Sequence, residues 1–266
     1  MAQKKKKKSL YKIQYINFPG LHYSDEKLQH LMDGLQDVAQ TCFNEVPNYQ
    51  VLKGSREDFT DKVITVAWRK DGTMAGFCST LIIDVKGVGK VQHLGLTCVK
   101  PDDRRNGLTH LLTSKAVSGY LVRNKLIGKL WISNCAAVLS SLGNVALNFE
   151  KIFPSPKKKV TPSKQHILIA QTIDKYYRDK IYIHEKAQFD ADNFVFKGSV
   201  KGTCFQKNAD DNEFYHRNET LNNYYKNIMD FENGDEVLQI GYVSSMTPIK
   251  YMLKRKFAPT SPLHFN

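Results

Sequence analysis

The order of apolar and polar residues predicts that the chain begins with a strand followed by a helix. Residues 10–18 alternate apolar and polar side chains and end at Pro19-Gly20, which is typical of a first strand. The period then becomes helical, because Ser24 can cap a helix and apolar residues recur after it at three- and four-residue steps. These apolar residues are Leu28, Leu31, Leu35, Val38 and Cys42.

Three further strands are predicted in succession. Residues 63–69 are rich in β-branched side chains, Lys70-Asp71-Gly72 forms a tight turn, and residues 73–84 follow as a second strand. A glycine-containing turn at residues 86–90 then leads into residues 91–99. The pattern therefore predicts three consecutive antiparallel strands.

The helical period returns at Gly107 and continues to about Gly128, after which residues 129–133 read as a short apolar strand. Later signals are a helix capped by Thr161 with Pro162 in its first turn, a short strand at residues 193–197 and a late strand at residues 236–243. A helix that returns the chain to a sheet indicates an α/β (α+β) layer fold.

Length and composition favour one folded unit with basic and polar ends. With 266 residues, 41% of them apolar, the chain can build a sizeable core. We predict a basic tail at residues 1–9, a single domain at residues 10–244 and a C-terminal tail at residues 245–266. Within the domain, residues 10–154 form the core and residues 155–244 a C-terminal region.

Cysteine usage and hydropathy indicate the cellular compartment of the protein. The five cysteines are scattered singly and contain no Cys-x-x-Cys spacing, which disfavours a disulfide framework and a thiolate metal site. No apolar run approaches the roughly 20 residues of a membrane span, and no apolar signal segment follows the N-terminus. We therefore expect a cytoplasmic protein with no membrane partner.

The charge balance points to a polyanionic ligand or partner. The formal net charge is +13, and without the block Lys4 to Lys8 there remain 34 basic against 26 acidic residues, a net charge of +8. The lysine block is typical of a solvated tail, and also of a nuclear address or a nucleic-acid arm. A basic nucleic-acid-binding protein is therefore one alternative function.

The strand-to-helix junction carries the strongest chemical signal. Its sequence is Val99-Lys-Pro-Asp-Asp-Arg-Arg-Asn-Gly-Leu-Thr. The first N–H groups of a helix lack intrahelical acceptors and carry the positive end of the helix dipole, so the junction is suited to an anion. Gly107 allows a ligand to approach the main chain, while Arg104 and Arg105 add forked cationic donors suited to phosphate oxygens.

This junction resembles the coenzyme A pyrophosphate loop of the GNAT (GCN5-related) N-acetyltransferase family. The family pattern is Arg or Gln, two residues, Gly, one residue, then Gly or Ala, and Thr109 departs from it at the last position. The order of strand, helix, three-strand meander, helix and strand also resembles that family. The resemblance implies a mixed, mostly antiparallel sheet flanked by helices, with an insertion before the last strand. Neither a Gly-x-Gly-x-x-Gly nor a Walker motif is present as a competing phosphate loop.

The resemblance implies acetyl-coenzyme A as cosubstrate and assigns residues to it. Cys98 and Val99 match the strand positions that pair with the pantetheine arm, and Arg104, Arg105 and the loop residues match the diphosphate site. The loop residues are Asn106, Gly107, Leu108 and Thr109.

His93 is the candidate general base. It stands where lysine-acetylating members of the family carry a glutamate, and strand alternation would place His93, Gly95 and Thr97 on one face. A half-buried histidine with a satisfied hydrogen bond is an equally good interpretation.

Two asparagines match the position at which the GNAT family uses an asparagine near the cofactor. Asn134 begins one matching register, and Asn144 begins another that runs into Ile152-Phe153-Pro154. Ser141 occupies the position at which the family often carries a tyrosine acid. The acid that protonates the leaving thiolate stays open.

The resemblance therefore implies an N-acetyltransferase that acts by direct transfer in a ternary complex on a small-molecule or protein amine. The alternatives are the nucleic-acid-binding protein and a GNAT fold that binds coenzyme A without turnover.

Overall fold

The structure is a computed structural model that describes residues 10–124, 128–157 and 160–244. The lysine block and the tails predicted at residues 1–9 and 245–266 lie outside these ranges. The division of the chain into domains stays a prediction.

A single mixed sheet contains the strands of the described residues. Its strand order is β1-β2-β3-β4-β5-β9-β8-β7, and β6 also pairs with β9. Only β4 and β5 are parallel; the other paired strands are antiparallel. The strands are β1 Lys12–Asn17, β2 Lys62–Trp68, β3 Met74–Val85, β4 Gly89–Val99, β5 Lys129–Ala136, β6 Glu150–Phe153, β7 Gln188–Asp190, β8 Val195–Lys197 and β9 Glu236–Ser244. The predicted fold class, a mostly antiparallel sheet flanked by helices, is confirmed.

Helices connect the strands and cover both faces of the sheet. The α-helices are α1 Pro19–His22, α2 Asp25–Gln40, α3 Leu108–Arg123, α4 Leu139–Asn148, α5 Lys164–Tyr176 and α6 Glu219–Lys226. Short 3-10 helices lie at Gln50–Leu52, Glu57–Phe59, Pro101–Asp103, Asp179–Ile181 and Asn212–Phe214. The order from β1 through β5 confirms the order that the GNAT resemblance implied.

The helix caps follow local chemistry. Ser24 Oγ accepts a hydrogen bond from the Lys27 amide at 3.4 Å, as predicted for the start of α2. The cap predicted for α5 is wrong, because that helix begins after Ser163, which forms a reciprocal capping box with His166. Thr161 and Pro162 therefore belong to the preceding loop.

The core is divided between the two faces of the sheet. On one face Leu35 and Val38 of α2 are fully buried against strand residues such as Val66. On the other face Leu112 and Ala116 of α3 pack in a separate cluster with strand residues such as Val63. The helices α2 and α3 therefore lie on opposite sides of the sheet, which we call the α2 face and the α3 face.

A β-bulge in β4 changes which face its residues present. Thr80 pairs with Leu94 but Cys78 pairs with Thr97, so β4 contains one extra residue at Gly95-Leu96. Thr97 hydrogen bonds to the Cys78 thiol, which packs among α3 residues. Gly95 instead lies beneath Gln50, on the α2 face. The prediction that Thr97 shares a face with His93 and Gly95 is therefore wrong, because simple alternation ends at the bulge.

Candidate active site

The strands β4 and β5 separate part-way along their length. They pair at four positions, from Val91 with Trp131 to Leu94 with Asn134. Beyond Leu94, β4 continues to Val99 with no partner on β5, while Cys135 and Ala136 of β5 pair only with β9. A V-shaped gap therefore opens between two neighbouring strands in the centre of the sheet.

A cleft of about 760 Å³ passes through this gap. On the α3 face its lining includes Thr109, Thr113 and Val117 of α3 and Asn144 and Val145 of α4. On the α2 face it is lined by Tyr49, Ile181, Tyr182, Phe205 and Glu236. A volume of this size suits a small-molecule ligand.

The N-terminus of α3 forms one end of the cleft. Gly107 is the N-cap and has φ 72°, and Arg105 also has a left-handed backbone, with φ 64°. The amides of residues 105–109 have no hydrogen-bond acceptor among the described residues. Free amides that converge at a helix N-terminus form a site for an anion.

Buried polar contacts hold this loop in place. Asp103 is 5% exposed; it pairs with Arg69 and accepts a hydrogen bond from the Tyr11 hydroxyl at 2.8 Å. Asn106 Nδ2 in turn donates to Tyr11 Oη at 3.1 Å. Burial opposes ionisation of Asp103, but the hydrogen bonds from Arg69 and Tyr11 hold the pKa of its carboxyl below the ordinary value. The negative charge of Asp103 is thus paired with Arg69, which leaves Arg104 and Arg105 to face the cleft.

The structure brings most of the predicted cofactor residues together. Eight of the ten line the cleft: Val99, Arg104, Arg105, Gly107, Leu108, Thr109, Asn134 and Asn144. Cys98 does not, because it is 3% exposed within the α2 cluster, and Asn106 instead supports the loop through Tyr11. The role of each residue stays a prediction.

Both candidate asparagines lie at the cleft. Asn134 is buried on β5, and its Nδ2 donates to Gln239 Oε1 at 3.1 Å. Asn144 is exposed on α4, and Ser141 lines the cleft one turn before it. The alternative between the two asparagines therefore stays open.

The geometry around His93 favours the alternative interpretation of a buried, hydrogen-bonded histidine over the role of base. His93 is 1% exposed, does not line the cleft, and places Nδ1 3.0 Å from Ser133 Oγ. Burial, with the nearby charge of Lys62, lowers its pKa to about 3. A histidine of this low basicity, shut off from the cleft, is poorly suited to take a proton from an ammonium group, so the role of His93 as base stays a prediction that its position does not favour.

A buried carboxylate at the cleft, that of Glu236, is absent from the residues predicted from the sequence. Glu236 is the first residue of β9, is 8% exposed, and accepts a hydrogen bond from Ser199 Oγ at 2.6 Å. Burial raises its pKa to about 7, although the hydrogen bond from Ser199 acts in the opposite direction. No local motif marks this glutamate, because its surroundings come from segments far away in the sequence.

No protein-family model and no curated protein matches the chain. Parts of the chain are similar to solved structures. An aminoglycoside acetyltransferase from an uncultured soil metagenomic sample is 11% identical, with 43% of this chain and 72% of that one covered and a TM-score of 0.34. Escherichia coli ElaA is 18% identical, with 50% of this chain and 84% of that one covered and a TM-score of 0.35. A putative acetyltransferase of the GNAT family from Desulfovibrio desulfuricans is 14% identical, with 47% of this chain and 74% of that one covered and a TM-score of 0.33.

Two negative findings apply to the described residues. None of their helices is long and apolar enough to cross a membrane. They also contain no group of three or more histidine, cysteine, aspartate or glutamate side chains that could hold a metal ion.

Proposed function

We propose that this chain is a GNAT-type N-acetyltransferase that uses acetyl-coenzyme A and transfers the acetyl group directly to an amine. One observation carries the proposal: a continuous cleft connects the unpaired amides at the start of α3, through the gap between β4 and β5, to a buried carboxylate. Within the part of the chain that the structure describes, no comparable feature favours the alternative of a nucleic-acid-binding protein.

The residues at the cleft fit the parts of coenzyme A. The amides of residues 105–109, with Arg104 and Arg105, would hold the diphosphate. The main chain of residues 95–99, which lacks a partner on β5, would pair with the pantetheine arm as an added strand does. The coenzyme would supply an activated acyl thioester. The chain's contribution is to position it in the gap beside the acceptor.

Direct transfer is favoured because the thiols at the cleft are poor nucleophiles. Cys78 and Cys135 both line it, and burial raises the pKa of each thiol above the ordinary value. A thiol needs to ionise before it attacks a thioester. A covalent acetyl-cysteine intermediate is therefore disfavoured, and the amine attacks the thioester itself.

Calorimetry with acetyl-coenzyme A tests the proposal with a matched pair of variants. Asparagine and aspartate both tolerate the left-handed backbone of Gly107, and a Cβ there meets no atom within 4 Å, so Gly107→Asn and Gly107→Asp differ mainly in charge. We expect the asparagine variant to bind within about threefold of the wild type and the aspartate variant to bind at least about tenfold more weakly. Equal binding by both variants, or no binding by the wild type, would overturn the assigned site.

A further inference from the structure

The end of the cleft on the α2 face is lined by aromatic rings. Tyr49, Tyr182 and Phe205 all line it and contact one another edge to face, with ring centroids 5.1 to 5.8 Å apart. Tyr49 is 7% exposed, whereas Tyr182 and Phe205 are half-buried. Aromatic faces attract cations, and they also accept the apolar part of a ligand.

Charge divides the cleft into two ends. Its basic lining residues, Arg104, Arg105 and His110, belong to the loop and first turn of α3. Glu236 is the acidic lining residue at the aromatic end. The other acidic residue of the lining, Asp103, belongs to the loop before α3, where it pairs with Arg69. One end therefore suits an anion and the other suits a cation.

We propose that the aromatic end, which we call the acceptor end, binds a primary ammonium group and that Glu236 is the catalytic base that deprotonates it. This inference rests on the proposed function. Because no basic residue of the described lining lies there, the substrate class is a primary amine without a carboxylate beside its nitrogen. An α-amino acid would place its carboxylate against Glu236 without a cation to pair with it.

The proposed transfer balances in atoms and protons. Glu236 takes one proton from the ammonium group, and the freed nitrogen lone pair forms a bond to the acyl carbon. The carbon–sulfur bond breaks, and its electron pair leaves on the sulfur as a thiolate. The second proton lost by the nitrogen neutralises that thiolate, and Glu236 returns its own proton to solvent. The products are an N-acetyl amide and a free thiol.

The surroundings of Glu236 suit this exchange near neutral pH. A base is most effective when its pKa lies near the working pH, and that of Glu236 is raised by burial to about 7. The groups that face it are the Ser199 hydroxyl, the Tyr49 phenol and the Cys135 thiol. Burial and then the charge of Glu236 raise the pKa of both Tyr49 and Cys135. Both therefore stay protonated while Glu236 titrates.

Steady-state kinetics over pH 5.5 to 9, with acetyl-coenzyme A and phenethylamine, test the assignment of the base. We expect the wild-type kcat/KM to rise as pH passes through about 7. Glu236→Gln should lower kcat/KM by about 10²- to 10⁴-fold and remove the midpoint near pH 7, which leaves only the rise caused by ionisation of the amine itself. Ser199→Ala keeps the carboxylate but removes a hydrogen bond to its charged form. We expect that variant to move the midpoint of the profile upward by about one pH unit.

A matched substrate pair tests the substrate class. Phenethylamine and phenylalanine differ by the carboxylate beside the amine, and we expect kcat/KM to favour phenethylamine by at least about tenfold. Equal values would overturn the substrate class. An undiminished rate with Glu236→Gln, or an unmoved profile with Ser199→Ala, would overturn the role of Glu236.

Acetyl-coenzyme A calorimetry on the same variants separates this inference from the proposed function. We expect Glu236→Gln and Ser199→Ala to bind acetyl-coenzyme A as the wild type does, because Glu236 lies on the opposite face of the sheet from α3 and Ser199 contacts Glu236 from outside the cleft lining. If the wild type neither binds acetyl-coenzyme A nor consumes it with amines, the proposed function itself fails. If the wild type binds and turns over but the variants behave like it, only the inference fails.

Discussion

The two ends of the cleft are built in different ways. The α3 end comes from one continuous stretch, residues 99–109, in which charge, glycine and helix start are adjacent in the sequence. The acceptor end brings together Tyr49, Tyr182, Phe205 and Glu236, which belong to segments separated by up to 187 residues. An anion site can thus be encoded locally, whereas a desolvated carboxylate needs walls from several parts of the fold. The predictions that follow test this difference.

The largest expected effect is on stability and concerns Glu236→Gln. The folded state raises the pKa of Glu236 from 4.5 to about 7, so the carboxyl favours folding when protonated, and this contribution is lost as pH rises through 7. The glutamine variant lacks this loss. Between pH 5 and pH 8 we expect its free energy of unfolding to gain about 3 kcal/mol relative to the wild type, as measured by urea unfolding at both pH values.

The control for that measurement is Glu213→Gln, which removes an exposed carboxylate. Its difference from the wild type should be the same at pH 5 and pH 8 within about 0.5 kcal/mol. If Glu236→Gln behaved like this control, Glu236 would be solvated and the contrast between the two ends would disappear.

The next effect concerns the affinity of the α3 end. Arg105→Glu replaces a cationic donor with an anion beside the unpaired amides, and we expect the Kd for acetyl-coenzyme A to rise by about 100-fold. The control is Lys115→Glu, the same change of charge at an exposed α3 position that does not line the cleft. Calorimetry that gave both variants the same Kd would reduce the role of Arg105 to general electrostatic attraction.

A smaller effect on acetyl-coenzyme A affinity is expected from Tyr11, which hydrogen bonds to two residues of the loop before α3. Tyr11→Phe removes the hydrogen bond to Asp103 and the acceptor for Asn106 while the ring is retained. We expect about a fivefold loss of acetyl-coenzyme A affinity, equivalent to about 1 kcal/mol, with no change in the KM for the amine. A matching rise in the KM for the amine would show that the two ends are not independent.

The smallest effect is expected for His93→Gln. Because His93 lies outside the cleft and glutamine can still hydrogen bond to Ser133, kcat/KM should stay within about threefold of the wild type. The midpoint of the pH profile should not move. Loss of the pH dependence in this variant, with Glu236→Gln unaffected, would return the role of base to β4.

The sequence predicted most of the fold because its signals are local. The Asp-Gly turn between β2 and β3, the Ser24 cap and the helix after Gly107 each depend on residues within a few positions of one another. The start of α5 differs from the prediction because Thr161-Pro162 and Ser163 are competing local signals, and the backbone N–H of Ser163 also donates a hydrogen bond to His166 Nδ1. The strand predicted at residues 193–197 contains β8, whereas β7 is missing from the prediction because it depends on pairing with β8, which no local pattern reveals.

The candidate site divides along the same line. Arg104, Arg105 and Gly107 could be predicted because a phosphate-binding loop has a sequence pattern. Glu236 could not, because its burial depends on Ser199 and on residues from distant segments. His93 was favoured by its distance from the loop, but that spacing carries no information about the side chains that cover it.

The bulge at Gly95-Leu96 gives β4 one residue more than regular pairing with β3 requires. Upstream of Gly95 the odd-numbered side chains share a side with α2, and downstream Thr97 and Val99 share a side with α3. Deleting Gly95 would remove the bulge and restore regular pairing with β3, and Leu96 and Cys98 would stay in the α2 core. A homologue that lacks this residue should therefore keep both faces of β4 and lose the local bend that the bulge introduces where β4 separates from β5.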